Sequence, residues 1–207
     1  MERPENLRTQ IIDMKINELI FATSNPNKVK EVNKLLPDTV QVLSLKDINF
    51  LEELPETQDT IEGNAIQKAE TLFQLTNKNC FAEDTGLIVP ALNGAPGVYS
   101  ARYAGPQKSD KDNMELLLQK LKTAENRKAY FKTVIALFID GKHHTFEGRA
   151  EGQIIQNPRG THGFGYDPIF LPEGLDTTFA EMTMLEKSTI SHRAKALKLL
   201  IKYLEQL

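Results

Sequence analysis

The stretch FAEDTGL, Phe81 to Leu87, sets two adjacent carboxylates at the end of an apolar run, followed by a hydroxyl and a glycine. Burying one unpaired carboxylate is costly, and burying two side by side costs more. On a strand the pair point to opposite faces, so a sheet could bury one and expose the other. A strand running out into a solvated loop accommodates them. A metal site at the strand's end does so too, with Glu83 and Asp84 joined by Glu56 from the separate acidic loop LPETQ. Three converging carboxylates suit a hard cation such as Mg²⁺, which also binds substrate phosphates. Asp84 could in addition take a proton from an attacking water.

A second group lies in TSNPNK, where Thr23, Ser24, Asn25, Pro26, Asn27 and Lys28 follow an apolar strand. Asn25 is a natural N-cap with Pro26 at the first helical position. A helix start presents free N–H groups and the positive end of a dipole, and Lys28 fits there best beside a bound anion. The expectation is a phosphate cradle, with a plain capped helix as the simpler account. It is not a P-loop, because G-x-x-x-x-G-K-[ST] is absent. Further cations are Lys68 on a helix, Arg102 in the tight loop YSARYAG, and Lys187 before STISHR. His192 and Arg193 open the last helix, where cations oppose the dipole unless a polar ligand lies near. GFGYDPIF has the form of a base clamp. Gly163 and Gly165 permit close backbone approach, and Phe164 can stack on a flat ring. Asp167 can accept hydrogen bonds from ring N–H groups, while Phe164 and Tyr166 could equally anchor the loop to the core.

The elements that must position these groups follow from periodicity. Strands are expected over 18–23, 40–45, 80–89 and 129–140, the last turning at Asp140–Gly141 into a partner strand. Helices are expected after Asn25, over 60–76 with an Asp59–Glu62 capping box, over 110–123, and from the N-cap Ser191 to the end. Residues 90–106 and 157–174 read as ordered glycine-bearing loops. Strands and helices alternate first and a hairpin comes later. The fold class expected is therefore α/β, a mixed twisted sheet flanked by helices, in two lobes around a central cleft. A Rossmann domain is disfavoured, since no G-x-G-x-x-G follows a strand.

The chain has 207 residues, net charge -3, 40% apolar residues and one cysteine, Cys80. That length suits a single catalytic domain, expected over 16–207, after a polar extension over 1–15 in which Met14 is a candidate start. No apolar run is long enough to cross a bilayer, and no signal peptide is evident. An acidic chain is a poor non-specific nucleic-acid binder, and a lone cysteine suits the cytoplasm.

Six motifs in order, TSNPNK, LPET, AEDTGL, GAPGVYSARYAG, GFGYDPIF and EKSTISHR, closely resemble the inosine triphosphate pyrophosphatases over nearly all of residues 17–205. The resemblance implies a homodimeric, Mg²⁺-dependent hydrolase that converts ITP, dITP and XTP to monophosphate and pyrophosphate. It places Thr23 to Lys28 on phosphates, and Glu56 and Asp84 on Mg²⁺, with Asp84 also the proton acceptor. Thr85 becomes a substrate contact, and Lys68 and Lys187 reach triphosphate or sugar. Phe164 to Asp167, with His192 and Arg193, hold the base. The family often has T-G-N where this chain has Thr23-Ser24-Asn25, which would narrow the backbone's approach to phosphate. Three rival readings stay open on the sequence: a pyrophosphatase for pyrimidine or methylated nucleotides, a nucleotide sensor without turnover, and a dimerisation domain.

Overall fold

The computed structural model describes residues 18–37 and 39–207, so the expected extension over 1–15, with Met14, lies outside the described residues. Six strands form one mixed sheet: β1 (Glu18–Phe21), β2 (Gln41–Ser44), β3 (Cys80–Ile88), β4 (Lys128–Ile139), β5 (Lys142–Ile154) and β6 (Phe170–Pro172), in spatial order β2-β1-β3-β4-β5-β6. β1 is parallel to both β2 and β3, and every later pairing is antiparallel. Parallel neighbours need crossovers. Helix α1 (Pro26–Asn33) links β1 to β2, and α2 (Ile61–Thr76) links β2 to β3. The others are α3 (Asp110–Lys120), α4 (Met184–Ile190) and α5 (His192–Leu204).

Local chemistry explains most boundaries. Asn25 caps α1, its side chain accepting from the N–H groups of Asn27 and Lys28. At α2 the cap is Thr60, which accepts from the Gly63 N–H, so the expected Asp59–Glu62 box gives way to a single-residue cap. Asp140 and Gly141 both take positive φ, as a two-residue hairpin requires. Ser191 caps α5 as expected, and its preceding turn is the unforeseen α4. Within the expected loop 157–174 the structure adds the short strand β6.

Two apolar clusters cover opposite faces of the sheet's centre. Phe21, Phe81, Leu197 and Leu200 pack under α1 and α5, while Ile20, Ala82, Ala65 and Leu72 pack under α2. A third cluster, with Leu117, Phe131, Phe170 and Phe179, fills the far end around α3 and β6. Between these regions lies the cleft. Its origin is a mismatch in length: four-residue β1 pairs with nine-residue β3 only at Ile20↔Cys80 and Phe21↔Phe81. Beyond Phe81 the β1 side of β3 is open, and its backbone finds other partners. The Glu83 carbonyl accepts from Lys68 Nζ at 2.8 Å, and the Leu87 N–H donates to Ser100 Oγ at 2.9 Å. Among the described residues no helix is long and apolar enough to cross a membrane.

α5 approaches β5 closely because Gly148 has no side chain; a Cβ there would overlap the His192 carbonyl oxygen. Gly148→Ala should therefore lift the start of α5 and cost about 1–3 kcal/mol, as overpacking does. Urea denaturation would register this as a lower midpoint with an unchanged slope.

Candidate active site

Both acids of the opening motif sit inside β3 rather than at its end, as its fourth and fifth residues. The strand continues through Thr85 and Gly86 because Gly86 lets the Gly97 turn come close; a Cβ at Gly86 would lie 2.5 Å from the Gly97 carbonyl oxygen. Alternation sends the two acids to opposite faces. Glu83 shares a face with Phe81, under α1 and α5. Asp84 shares the other with Ala82, under α2. Neither is exposed: Glu83 is 1% and Asp84 9% accessible.

Glu83 receives a fork from Arg193. Nε donates to Oε1 and Oε2 at 3.0 and 2.8 Å, and Nη2 donates to Oε1 at 2.7 Å. Lys28 Nζ adds an ion pair to Oε1 at 3.2 Å. Burial alone would push the Glu83 carboxyl up, but Arg193 and Lys28 hold it well below the usual carboxylate range. Burial likewise opposes the Arg193 charge, which Glu83 and Glu31 more than restore. Glu31 on α1 extends the network, accepting from Lys187 Nζ at 3.1 Å and from Arg193 Nη1. Lys187 Nζ also donates to Asp167 Oδ2 at 2.7 Å.

Asp84 faces a different cation. Lys68 Nζ lies 2.6 Å from Glu56 Oε1 and 3.7 Å from Asp84 Oδ1. Asn64 Nδ2 donates to Asp84 Oδ2 at 3.3 Å. Burial raises the Asp84 carboxyl above its ordinary value despite the nearby Lys68 and Lys28. Burial also lowers the Lys28 ammonium, against the pull of Glu83. The expected convergence of three carboxylates is thus not formed. Among the described residues no three Asp, Glu, His or Cys side chains are grouped to hold a metal. Glu83 is turned away and fully engaged, while Glu56 and Asp84 flank one cation position. Two carboxylates of this kind fit Mg²⁺, which takes one or two protein carboxylates and completes its shell from phosphates and water.

These groups meet in a cavity of about 940 Å³. Its walls include Thr23, Ser24, Asn25, Lys28, Glu56, Lys68, Asp84, Thr85, Arg102, Phe164, Gly165, Tyr166, Asp167, Lys187, His192 and Arg193. Of the sequence candidates, Pro26, Asn27 and Glu83 are not on its wall. The helix start is less open than expected. Asn25 Oδ1 takes the Asn27 and Lys28 N–H groups, and Thr23 Oγ1 takes that of Asn25. Ser24 is not among the residues with positive φ, so its lack of glycine carries no backbone strain. Thr85 Oγ1 pairs with Thr133 Oγ1 at 2.6 Å, and Arg102 Nη1 lies 3.5 Å from Glu56 Oε2.

At the base-clamp end, Tyr166 is the anchor, donating to the Ser100 carbonyl at 2.9 Å. Phe164 lies over Lys187 Nζ at 5.1 Å and Arg193 Cζ at 5.6 Å. Asp167 Oδ2 is already occupied by Lys187 and the Phe164 N–H, so this oxygen braces the loop. Burial raises the Asp167 carboxyl, with Lys187 opposing. His192 stacks on Phe131 at 4.5 Å, and burial and Arg193 lower its pKa so that it stays neutral. Its buried Nδ1 has no partner. Sequence reasoning missed Glu31 and Asn64. Glu31 carried one signal, its place three residues after Lys28 on the same helical face.

Fold and site together define an α/β protein with a charged cleft, walled by paired cations and carboxylates. The chain belongs to the Ham1 family, whose model matches residues 19–203. That agrees with the family read from the six motifs. A dITP/XTP pyrophosphatase of Flavobacterium johnsoniae is 55% identical over 184 residues, covering 89% of this chain and 96% of the relative. The dITP/XTP pyrophosphatase of Bacillus subtilis is 50% identical over 194 residues, covering 92% and 98%. The solved Ham1 protein of Staphylococcus aureus superposes with TM-score 0.84 at 41% identity, covering 91% of this chain and 98% of that one. A HAM1 protein from Coxiella burnetii gives 0.85 at 36% identity, covering 93% and 100%.

Glu83→Gln removes the main counter-charge of a buried guanidinium and should cost about 3–5 kcal/mol at pH 7. Because the Glu83 pKa is depressed on folding, its contribution is present above the unfolded value of 4.5 and is lost as pH falls below it. Denaturation at pH 7 and at successively lower pH should show the gap between wild type and variant closing only on the acid side.

Proposed function

We propose that this chain is a nucleoside-triphosphate pyrophosphohydrolase that converts ITP, dITP and XTP to the monophosphate and pyrophosphate, clearing noncanonical purines from the nucleotide pool. The observation that carries the reading is Asp84: a nearly buried carboxylate on the cavity wall, 3.7 Å from Lys68 Nζ and beside Glu56 across that ammonium. Asn64 Nδ2 fixes one Asp84 oxygen, which leaves the other to accept the proton of an attacking water. Water would attack the α-phosphorus and pyrophosphate would leave. Glu56 and Asp84 would hold Mg²⁺, which when bound would offset charge on the phosphate oxygens. Lys28 and Lys68 sit where they can meet the phosphates, and Arg102 stands at the same wall.

The base would occupy the end lined by Phe164, Tyr166 and His192. Hypoxanthine and xanthine carry O6 and a protonated N1, whereas adenine carries an amino group and an unprotonated N1. His192, neutral and on the cavity wall, offers one fixed hydrogen-bonding ring there. A buried polar group that pairs with one base and stays unpaired against another discriminates strongly. The same reading includes a homodimer in the cytoplasm with no nucleic-acid or membrane partner. The family resemblance supports the dimer, and the acidic charge and lone cysteine support the rest.

Pyrophosphate release measured with and without Mg²⁺ across ITP, dITP, XTP, ATP, GTP and the pyrimidine triphosphates tests this. Rapid Mg²⁺-dependent release from the first three and little from the others is expected; release mainly from a pyrimidine would discard the base assignment. Asp84→Asn should lower release from dITP by at least about 10²-fold with an unchanged circular dichroism spectrum. Full activity in that variant would remove Asp84 from the mechanism.

A further inference from the structure

The ammonium of Lys68 occupies the position between Glu56 and Asp84 that the metal reading gives to a cation. It is held from three sides: Glu56 Oε1 at 2.6 Å, Asp84 Oδ1 at 3.7 Å, and the Glu83 carbonyl at 2.8 Å. The lysine side chain is only 7% exposed, whereas Glu56 is 37% exposed. That carbonyl lies on the stretch of β3 that β1 leaves open, so Lys68 also closes a backbone account. The helix behind it is fixed, since Ala65, Ala69 and Leu72 are fully buried against the sheet. Only the end of the side chain is able to move.

A hard divalent ion gains affinity with the number of uncompensated carboxylate charges around it. With Lys68 in place the trio of Lys68, Glu56 and Asp84 carries one negative charge instead of two. A dication entering the same position would also meet the ammonium at close range and be repelled by it. A triphosphate changes the balance, because its oxygens offer the ammonium an alternative set of acceptors in the same cavity.

We propose that Lys68 is a resident counter-cation that keeps Glu56 and Asp84 closed to a divalent ion until a triphosphate draws its ammonium away, so that metal enters with the nucleotide. This inference rests on the assignment of Glu56 and Asp84 as the metal-holding carboxylates. Lys68 is thereby given a role in the order of binding, besides any contact with phosphate.

The test is Mn²⁺ binding to the nucleotide-free full chain, read by electron paramagnetic resonance and calorimetry. Wild type, Lys68→Gln, Asp84→Asn and the Lys68→Gln/Asp84→Asn pair would be compared. Lys68→Gln should bind Mn²⁺ at least about tenfold more tightly than wild type, and the double variant should lose that gain. Equal affinity in wild type and Lys68→Gln, lost on Asp84→Asn, would overturn the counter-cation while leaving the metal assignment intact. Mn²⁺ binding indifferent to Asp84→Asn in either background would overturn the metal assignment, and the proposal with it. Should Lys68→Gln fail to fold, wild type and Glu56→Gln decide. Mn²⁺ binding to the nucleotide-free wild type that Glu56→Gln abolishes, at concentrations that saturate turnover, refutes the proposal, and its absence supports it.

Discussion

A guanidinium buried at the start of a helix must be neutralised from outside that helix, and the rest of the cleft follows from how Arg193 meets this need. The α5 N-terminus carries the positive end of a dipole, so a cation there is doubly unfavourable. Glu83 on β3 and Glu31 on α1 supply the opposing charge. Three elements far apart in the chain are thereby tied at one point, with sequence separations of 110 and 162 residues. The constraint also sets the register of β3. A slip of one residue would carry Asp84 to the Arg193 face and Glu83 to the Lys68 face, exchanging the partners of both acids.

The cleft has a simple geometric source. A strand of four residues beside one of nine leaves an unpaired edge, and an unpaired edge inside a protein must be covered. Here the cover is polar: Lys68 takes the Glu83 carbonyl and Ser100 takes the Leu87 N–H. Ser100 in turn belongs to the Gly97–Arg102 turn, and its carbonyl holds the Tyr166 hydroxyl. Satisfying the backbone of one strand thus brings the 97–102 turn, the 163–167 loop and α2 to the same cavity. The groups that a ligand would meet are positioned by the same bonds that close the sheet.

Much of this was legible in the sequence because it rests on local rules. The Asn25 and Ser191 caps, the Asp140–Gly141 hairpin and the apolar faces of α1, α2 and α5 are determined within a few residues. The candidate wall was also largely legible, since its residues cluster in short motifs. What escaped was pairing. The sequence showed Glu83 beside Asp84 and suggested a shared task, but alternation on a strand gives neighbours different faces and hence different partners. The expected strand 80–89 ran through Gly86, but the reason for a glycine there, which is to let the Gly97 turn approach, was not legible. Glu31 escaped because its partners, Lys187 and Arg193, lie more than 150 residues away.

Charge inside the cleft falls into two kinds of pair, and the exposure of the carboxylate separates them. Glu83 is fully enclosed, and Arg193 nearly so, with directional hydrogen bonds on both sides. Breaking that pair would strand a buried charge, so a ligand gains nothing by competing for it. Glu56 is more than a third exposed, and it meets its cations, Lys68 and Arg102, at the cavity wall. Lys68 itself is nearly buried, but the carboxylate stands open at the cavity wall, where a ligand can compete for its cations. The consequence is a division of labour within one apparently uniform network. The enclosed pairs keep Lys28, Lys187 and Arg193 where they are before any ligand arrives, which reduces the ordering cost of binding. The open pairs around Glu56 carry the adaptable charge, and they lie beside Asp84, the carboxylate whose proton affinity burial has raised. Fixed charge at one face of β3 and exchangeable charge at the other is what two adjacent acids on a single buried strand make possible.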